Sequence, residues 1–390
     1  MTAVPRDRLV LTGGEAVAHA MRQIDPDVVP IYPITPQTPI IQAFASFVAD
    51  GRAHGEMIDV ESEHSAMSAA VGAALAGART MTATSSQGLA YMAEIVYIAA
   101  AMRAPVVMAV GNRALSAPIN IHADHSDSML VRDSGAIQLF VENAQEAYDA
   151  MLLAPRIAER PDVLLPVLVC MDGFTITHGA EPVELLPDEE ARAFVGEYRI
   201  PHPLLDLEHP STQGPFAMPD YYYELRRALA AAQVAALDAL ETASDELETV
   251  TGRRYQPVEA YRLDGAQRAL VLLGSTAGTA KDVVDELRDR GERVGLLELR
   301  SFRPFPASHL RRALDGVRTA LVLDRADSPG APPPLFAEVA AALYGTDVDL
   351  RSAVYGLGGR ELLPGDVAEL YAELGRPGDP RTRYLGVRSA

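Results

Sequence analysis

Cysteine is almost absent from this chain: Cys170 is the one thiol in 390 residues. A single cysteine excludes an intrachain disulfide and cannot hold an iron-sulfur cluster, which takes about four thiolates. Any such cluster has to sit on a partner. Cys170 lies in the apolar run LLPVLVCM and reads as a packed thiol on a buried strand. Positive charge is also scarce. Lys and Arg number 34 against 53 Asp and Glu, a formal net charge of -19. Nucleic acid and anionic membrane surfaces need clustered cations, so the balance argues against both as partners. Small anionic substrates would need a local basic residue. Long apolar runs are missing as well. No stretch reaches the ~18 residues of a membrane span, and the opening MTAVPRDRLV lacks the apolar core of a signal peptide, so the expected location is the cytoplasm. Neither an internal repeat nor a low-complexity tail is apparent.

What is present reads as a folded α/β chain, with 48% hydrophobic and 22% charged residues over a length that suits two domains. From residue 8 to about 175, the strand-like runs DVVPIY, MIDV, TMTAT, PVVMAV and LLPVLVCM alternate with helical stretches, the pattern of a parallel sheet flanked by helices. Two of those helices, SAMSAAVGAALAGA from Ser65 and the run from Ala90 to Ala101, are rich in small residues and suit tight burial or a subunit contact. An acidic, proline-bearing stretch then leads into a long helix from Asp220 to about Glu248, with Leu225, Leu229, Leu237 and Leu240 near helical spacing. A second alternation runs through ALVLLGS, VGLLEL and TALVLD and ends near GDVAELYAEL. The expected limits are 1–200 for the first domain, 201–265 for a connector with the long helix, and 266–390 for the second domain.

Several loops fall at the carboxyl ends of the predicted strands, where open α/β sheets bind ligands. The first is IYPITPQTP, Ile31 to Pro39. Pro33 and Pro36 each fix φ and remove an amide donor, so the strand must stop there, leaving Thr35 at a stiff corner. An ordinary proline-stiffened turn would look the same. Glu63 follows a strand in the first turn of an Ala-rich helix. Its carboxylate either faces a ligand or complements the helix dipole, a role Glu61 could also fill. After TMTAT, the run Ser85, Ser86, Gln87, Gly88 offers hydroxyls and an amide before a helix, for a ligand or for capping. After PVVMAV, Arg113 emerges from the same edge and could grip a substrate carboxylate with two hydrogen bonds, or be a solvated loop residue. His122, Asp124, His125 and Asp127 in INIHADHSD suggest metal ligands only superficially. One loop does not fix a coordination geometry, and residues that order a long active-site loop explain the composition as well. In the second domain, LLGSTAGTAKD could bind an anion at a helix start, but it lacks a full dinucleotide or Walker pattern, and plain capping is favoured. SPGAPPP at 328–334 reads as a stiffened loop.

The order YPITP, then SE before a small-residue helix, then TSSQGL, then NRALSAPINIHADHSD resembles the α subunit of pyruvate:ferredoxin oxidoreductase, densely over residues 10 to about 175 and more loosely over the second domain. The resemblance implies an α/β fold in which a parallel-sheet pyrimidine-binding domain for thiamine diphosphate is followed by a smaller transketolase C-terminal-like α/β domain. It implies that Glu63 contacts the pyrimidine N1′ and activates the cofactor, that Thr35 and Arg113 bind the substrate, and that Pro33, Ser86 and Gln87 line the cofactor. It further implies a β subunit bearing the diphosphate-binding domain, its Mg2+ and an iron-sulfur cluster, together with γ- and δ-type subunits, and ferredoxin or flavodoxin as electron acceptor. No metal site is expected on this chain, and it should be inactive alone. The reaction implied is oxidative decarboxylation of pyruvate, with coenzyme A, to acetyl-CoA and CO2. Alternatives are a subunit for another 2-oxoacid, such as 2-oxoglutarate or oxalate, the β subunit of a lipoamide-linked 2-oxoacid dehydrogenase, and a scaffold subunit whose loops have lost function.

Overall fold

The computed structural model describes residues 7–378 and 382–388. The first six residues of the opening segment considered above for a signal peptide lie outside the described residues.

The first unit runs β1 (Asp7–Thr12), α1 (Gly13–Ile24), β2 (Val28–Ile31), α2 (Thr38–Ala49), β3 (Glu56–Asp59), α3 (Glu63–Ala76), β4 (Met81–Thr84), α4 (Ser86–Ala101), β5 (Val107–Asn112), α5 (Ser126–Leu130), β6 (Ile137–Phe140), α6 (Ala144–Ala158), β7 (Val167–Asp172), β8 (Ala180–Leu185) and α7 (Asp188–Val195). Local chemistry sets the boundaries. Thr12 and Glu15 cap α1 reciprocally, Ser62 caps α3 by accepting from the Ser65 amide, and α3 ends at Gly77, whose φ of 107° suits a residue without Cβ. Strands β4, β5, β7 and β6 pair in parallel in that order. The parallel pair β2–β3 is joined to them by a bridge from Val28 to Thr80. All five strand-like runs read from the sequence are strands. The short β6 escaped that reading because the buried Gln138 interrupts its apolar run; its amide donates to the Ser128 carbonyl.

The long helix α8 (Pro219–Thr251) packs against α6 rather than standing apart. Leu229, Ala232, Ala236, Ala239, Leu240, Ala243 and Leu247 bury a seam in the core of the first sheet, whereas Leu225 is exposed and Leu237 is half-buried. Alanines dominate that seam, so the two helices can approach closely.

The second unit comprises β9 (Val258–Tyr261), β10 (Arg268–Leu272), α9 (Thr276–Asp289), β11 (Val294–Leu299), β12 (Ser301–Arg303), α10 (Ala307–Ala313), β13 (Thr319–Asp324), α11 (Pro334–Ala342), β14 (Asp349–Val354), α12 (Pro364–Glu373) and β15 (Arg383–Tyr384). Its sheet has the order β15-β14-β13-β10-β11-β9, parallel except for β9 at the edge. Strand β12 leaves it and pairs antiparallel with β6 of the first unit. The apolar core follows the same route: Phe140, Leu168 and Cys170 of the first sheet share one cluster with Leu297, Leu299 and Phe302 of the second. Cys170 is buried, as its apolar setting predicted. Among the described residues no helix is long and apolar enough to cross a membrane.

Candidate active site

Strands β2, β4, β5 and β7 end on a common edge, and four turns meet there. Pro36, buried in the turn after β2, lies against the ends of β5 and β7. A Cβ on Gly173 would come within 2.8 Å of the Pro36 ring, and one on Gly111 within 3.4 Å, so the loop can seat only over glycine-like backbone. Gln37 closes the turn from inside, donating through Nε2 to the Tyr32 carbonyl at 3.0 Å.

This seating brings Thr35 to Arg113. The Arg113 guanidinium donates to the Thr35 carbonyl at 2.9 Å and to the Asn120 carbonyl at 3.0 Å. Both acceptors are neutral. Arg22, Arg113, Arg300 and Arg325 are the buried arginines among the described residues. Arg22, Arg300 and Arg325 each hold a carboxylate, but Arg113 has none within salt-bridge range among the described residues. A buried cation without a counterion is costly, and a planar guanidinium with donors to spare suits a bidentate carboxylate ligand. Thr35 itself is exposed.

Glu63 stands at the first position of α3 and is 8% exposed. Its carboxylate accepts no hydrogen bond from the described residues. It lies over Gly88 in the first turn of α4: a Cβ there would sit 2.9 Å from Glu63 Oε1 and 2.4 Å from Thr84 Oγ1. Thr84 Oγ1 and Ser85 Oγ are buried without partners, as are Gln37 Oε1 and Asn112 Oδ1. Native interiors leave few such groups unpaired, and these four lie on one edge, although others are scattered through the chain.

Ser86 adopts φ of 50°, a left-handed conformation that costs a non-glycine residue about 1–3 kcal/mol. What holds it is the network around Asp127. Asp127 Oδ2 accepts from the Ser86 amide at 2.9 Å and the Arg113 amide at 3.0 Å, and Oδ1 accepts from Asn112 Nδ2 at 2.8 Å and the Ser128 amide at 2.7 Å. Burial pushes the Asp127 carboxyl up to about 6, against the pull of those donors. Ser86 Oγ lies 2.6 Å from both the Ala114 carbonyl and Gln87 Oε1, which share its one proton, and the Ser116 hydroxyl of the neighbouring loop reaches Gln87 Oε1 at 3.5 Å. Pro33 is exposed, and no hydrogen bond links it to the other predicted residues. Thus Thr35, Arg113, Ser86, Gln87 and Glu63 share the edge; Pro33 stands at its rim.

The His/Asp loop orders the edge. Asp124 accepts from the Ser126 amide, His122 packs on the Phe174 ring at 5.0 Å, and His125 Nε2 meets Asp172 Oδ1 at 2.7 Å. Asp172, at the end of β7, was not legible in the sequence as a functional residue. It enters the second sheet's own switch point, between β10 and β13, where Ser275 donates from its amide at 2.9 Å and its hydroxyl at 2.5 Å, and Arg325 donates at 2.7 Å. Burial pushes the Asp172 carboxyl up, but Arg325, His125 and Ser275 more than reverse this and hold it well below the usual carboxylate range. Plain capping is the expectation for LLGSTAGTAKD, and the group that meets its helix start is a carboxylate of the chain's own first unit. A second cluster, the half-buried Glu142 and Glu259 with the buried Glu298, has the spacing of a cation site. Lys281 Nζ already occupies it, at 2.6, 3.2 and 2.9 Å from the three.

The edge and the paired sheets define an α/β chain with a candidate ligand site on its first unit. Comparison with known proteins specifies it. The family described as "Pyruvate flavodoxin/ferredoxin oxidoreductase, thiamine diP-bdg" matches residues 19–244, and "Pyruvate:ferredoxin oxidoreductase core domain II" matches 266–367. The chain is 55% identical to the pyruvate synthase subunit PorA of Thermotoga maritima, covering 98% of each, and 46% identical to that of Methanocaldococcus jannaschii, over 97% of this chain and 98% of the relative. It is 39% identical to the ketoisovalerate oxidoreductase subunit VorA of Pyrococcus horikoshii, over 94% and 93%. Among solved structures, a 2-oxoglutarate:ferredoxin oxidoreductase from Magnetococcus marinus aligns with TM-score 0.74 at 19% identity, covering 95% of this chain and 66% of that longer chain. A split-gene transketolase, an inactive β4 tetramer, aligns with TM-score 0.55 at 14% identity, over 93% and 98%. These two likenesses concern the fold. This chain belongs to the pyruvate flavodoxin/ferredoxin oxidoreductase family, as its thiamine diphosphate-binding subunit.

Proposed function

We propose that this chain is the α-type subunit of a pyruvate:ferredoxin oxidoreductase, which oxidises pyruvate in the presence of coenzyme A to acetyl-CoA and CO2 and passes the electrons to ferredoxin. The observation that carries this reading is the Glu63 carboxylate, buried at a helix start without a protein partner and sharing an edge with the uncompensated Arg113. The residues fit a thiamine pyrimidine. An acceptor at Glu63 and the orphaned hydroxyl of Thr84 converge near Gly88, and the orphaned hydroxyl of Ser85 faces Gly111 on the same edge, the complement of a heterocycle that offers ring nitrogen and amino group. When bound, the cofactor supplies the electron sink for decarboxylation.

The chain's own residues do the rest. Glu63 holds a proton at the pyrimidine N1′ and so favours the cofactor's activated tautomer. Arg113 pairs with the carboxylate of pyruvate, Thr35 donates a hydrogen bond to the substrate, and together they fix its orientation. Ser86, Gln87 and Pro33 line the cofactor side of the edge. The magnesium, the diphosphate-binding domain and an iron-sulfur cluster belong to a β-type subunit, with further γ- and δ-type subunits, and Cys170 is too few and too buried to bind a cluster. The domain limits we assign are 1–200, 201–265 and 266–390, the end of the connector lending the edge strand β9 to the second sheet, and the complex works in the cytoplasm.

Pyruvate is favoured over a bulkier acid because the relatives named pyruvate synthase reach 55% identity against 39% for the ketoisovalerate enzyme. Membership of a flavodoxin/ferredoxin oxidoreductase family removes the support for the lipoamide-linked reading. The test is anaerobic reduction of a viologen dye by the complex purified through this chain. Reduction that requires both pyruvate and coenzyme A is expected; reduction with 2-oxoisovalerate or 2-oxoglutarate but not pyruvate overturns the substrate assignment.

A further inference from the structure

One buried carboxylate on the active-site edge takes no part in the chemistry above. Asp127 is wholly enclosed, and all four of its acceptor positions are filled. Its donors come from three segments: the turn after β4, the end of β5, and the first turn of α5. Two of them are main-chain amides that converge on the same oxygen, that of Ser86 at 2.9 Å and that of Arg113 at 3.0 Å. One carboxylate thereby sets the distance between the Ser85–Ser86 turn and the backbone of Arg113.

The side chain of Arg113 needs such a fix. It has no carboxylate partner among the described residues, and its two hydrogen bonds go to the carbonyls of Thr35 and Asn120, which are themselves on loops. We propose that Asp127 is the positioning residue that holds Arg113, through its main-chain amide, in the geometry that grips the substrate carboxylate beside Thr35. The proposal rests on the reading of Arg113 as that clamp. Only an acid serves at this position. An asparagine has nearly the same shape, but if its oxygen faces the two converging amides, its NH2 faces the fixed Ser128 amide, donor against donor, even where Asn112 turns its unpartnered Oδ1 toward it. A displacement of about 1 Å at a substrate-positioning group can cost roughly 100-fold in rate, so a small loosening here is readable.

The test uses the complete enzyme, assembled with its partner subunits, and measures pyruvate KM and kcat for Arg113→Ala, Asp127→Asn and the double variant. Thiamine diphosphate affinity is measured separately as a check on the cofactor side. Arg113→Ala should raise pyruvate KM by about tenfold or more, Asp127→Asn by about five- to tenfold with kcat within about threefold, and the double variant should be no worse than Arg113→Ala alone. Costs that multiply in the double variant, or an Asp127→Asn enzyme with unchanged pyruvate KM, overturn the positioning role while leaving Arg113 as the clamp. Unchanged KM in Arg113→Ala itself overturns the underlying reading, and the proposal with it. Should Asp127→Asn fail to assemble, Asn112→Ser removes one side-chain donor from Asp127 and leaves both amides. The expected pattern is then the same but smaller, about two- to threefold in KM and absent in the Arg113→Ala background; a twofold loss that persists in that background counts against the proposal.

Discussion

The two sheets of this molecule are built alike, as parallel strands with helices packed against them, yet their carboxyl edges have opposite fates. On the first, among the described residues, Glu63 lacks a hydrogen-bond partner and the hydroxyls of Thr84 and Ser85 are unpaired. On the second, the switch point between β10 and β13 is filled by Asp172, with Ser275, Arg325 and His125 all satisfied by it. The same architecture thus leaves polar groups open on one half, where we propose the ligand site, and forms a domain clasp in the other. Fold places an edge; the pairing of its polar groups decides what the edge does.

The largest effect should come from the open edge. Glu63→Gln keeps the shape but removes the charge that, on the proposed reading, holds the proton at N1′, and turnover should fall by roughly 10²–10⁴-fold with the Tm of the complex unchanged. Wild-type turnover in that variant would end the assignment. Next is the clasp. Asp172→Ala leaves Arg325 buried without its counterion, and breaking such a pair costs about 3–5 kcal/mol, which thermal melts of the complex should register as a loss of several degrees. An unchanged melt would mean that the second edge is not a clasp and would dissolve the contrast.

Gly88→Ala probes the boundary between the two behaviours. Alanine in a helix is ordinarily favoured over glycine by about 1 kcal/mol, but this Cβ would collide with Thr84 Oγ1 at 2.4 Å. We expect weaker thiamine diphosphate binding, by about tenfold, in a titration of the apo-complex. The smallest effect concerns the charge cluster between the units. Burial pushes the Glu298 carboxyl up to about 8, against the pull of Arg300 and Lys281. Unfolded, it ionises near ~4.3, so its folded state is most favoured below that pH and loses stability as pH rises to about 8. Glu298→Gln, uncharged throughout, should therefore match wild type near pH 4.5 and gain in Tm relative to it by pH 8.5. Parallel pH profiles would show that the flanking cations already neutralise Glu298.

Much of the first edge was legible in the chain. YPITP announces a strand that must stop, because two prolines forbid its continuation, and Glu63, Ser86 and Arg113 each follow an apolar run at the same relative place. Pro33 carried the same signal but lies at the rim, since proline spacing fixes the turn and not which ring faces inward. Asp127 sat in a His/Asp-rich loop, where composition could not separate a metal ligand from a structural acceptor; only the two amides converging on Oδ2 do so. Asp172 ends an apolar strand and looked like any terminal acid. Strand β12 and the Ala-rich seam of α8 were similarly silent, because three residues of strand or a row of alanines gain meaning only from what they meet.

The sequence by itself determined the alternation of strands and helices, the lone buried thiol that sends any iron-sulfur cluster elsewhere, and the residue types gathered at one edge, since periodicity, proline and composition act locally. The tertiary structure alone decided that Arg113 is, among the described residues, the buried arginine without a carboxylate, that Asp172 closes the second sheet, and that Lys281 fills the acidic cluster. Each of those facts is a pairing between residues far apart in the chain, and charge pairing is settled by distance in space and by burial, neither of which is written in the order of residues.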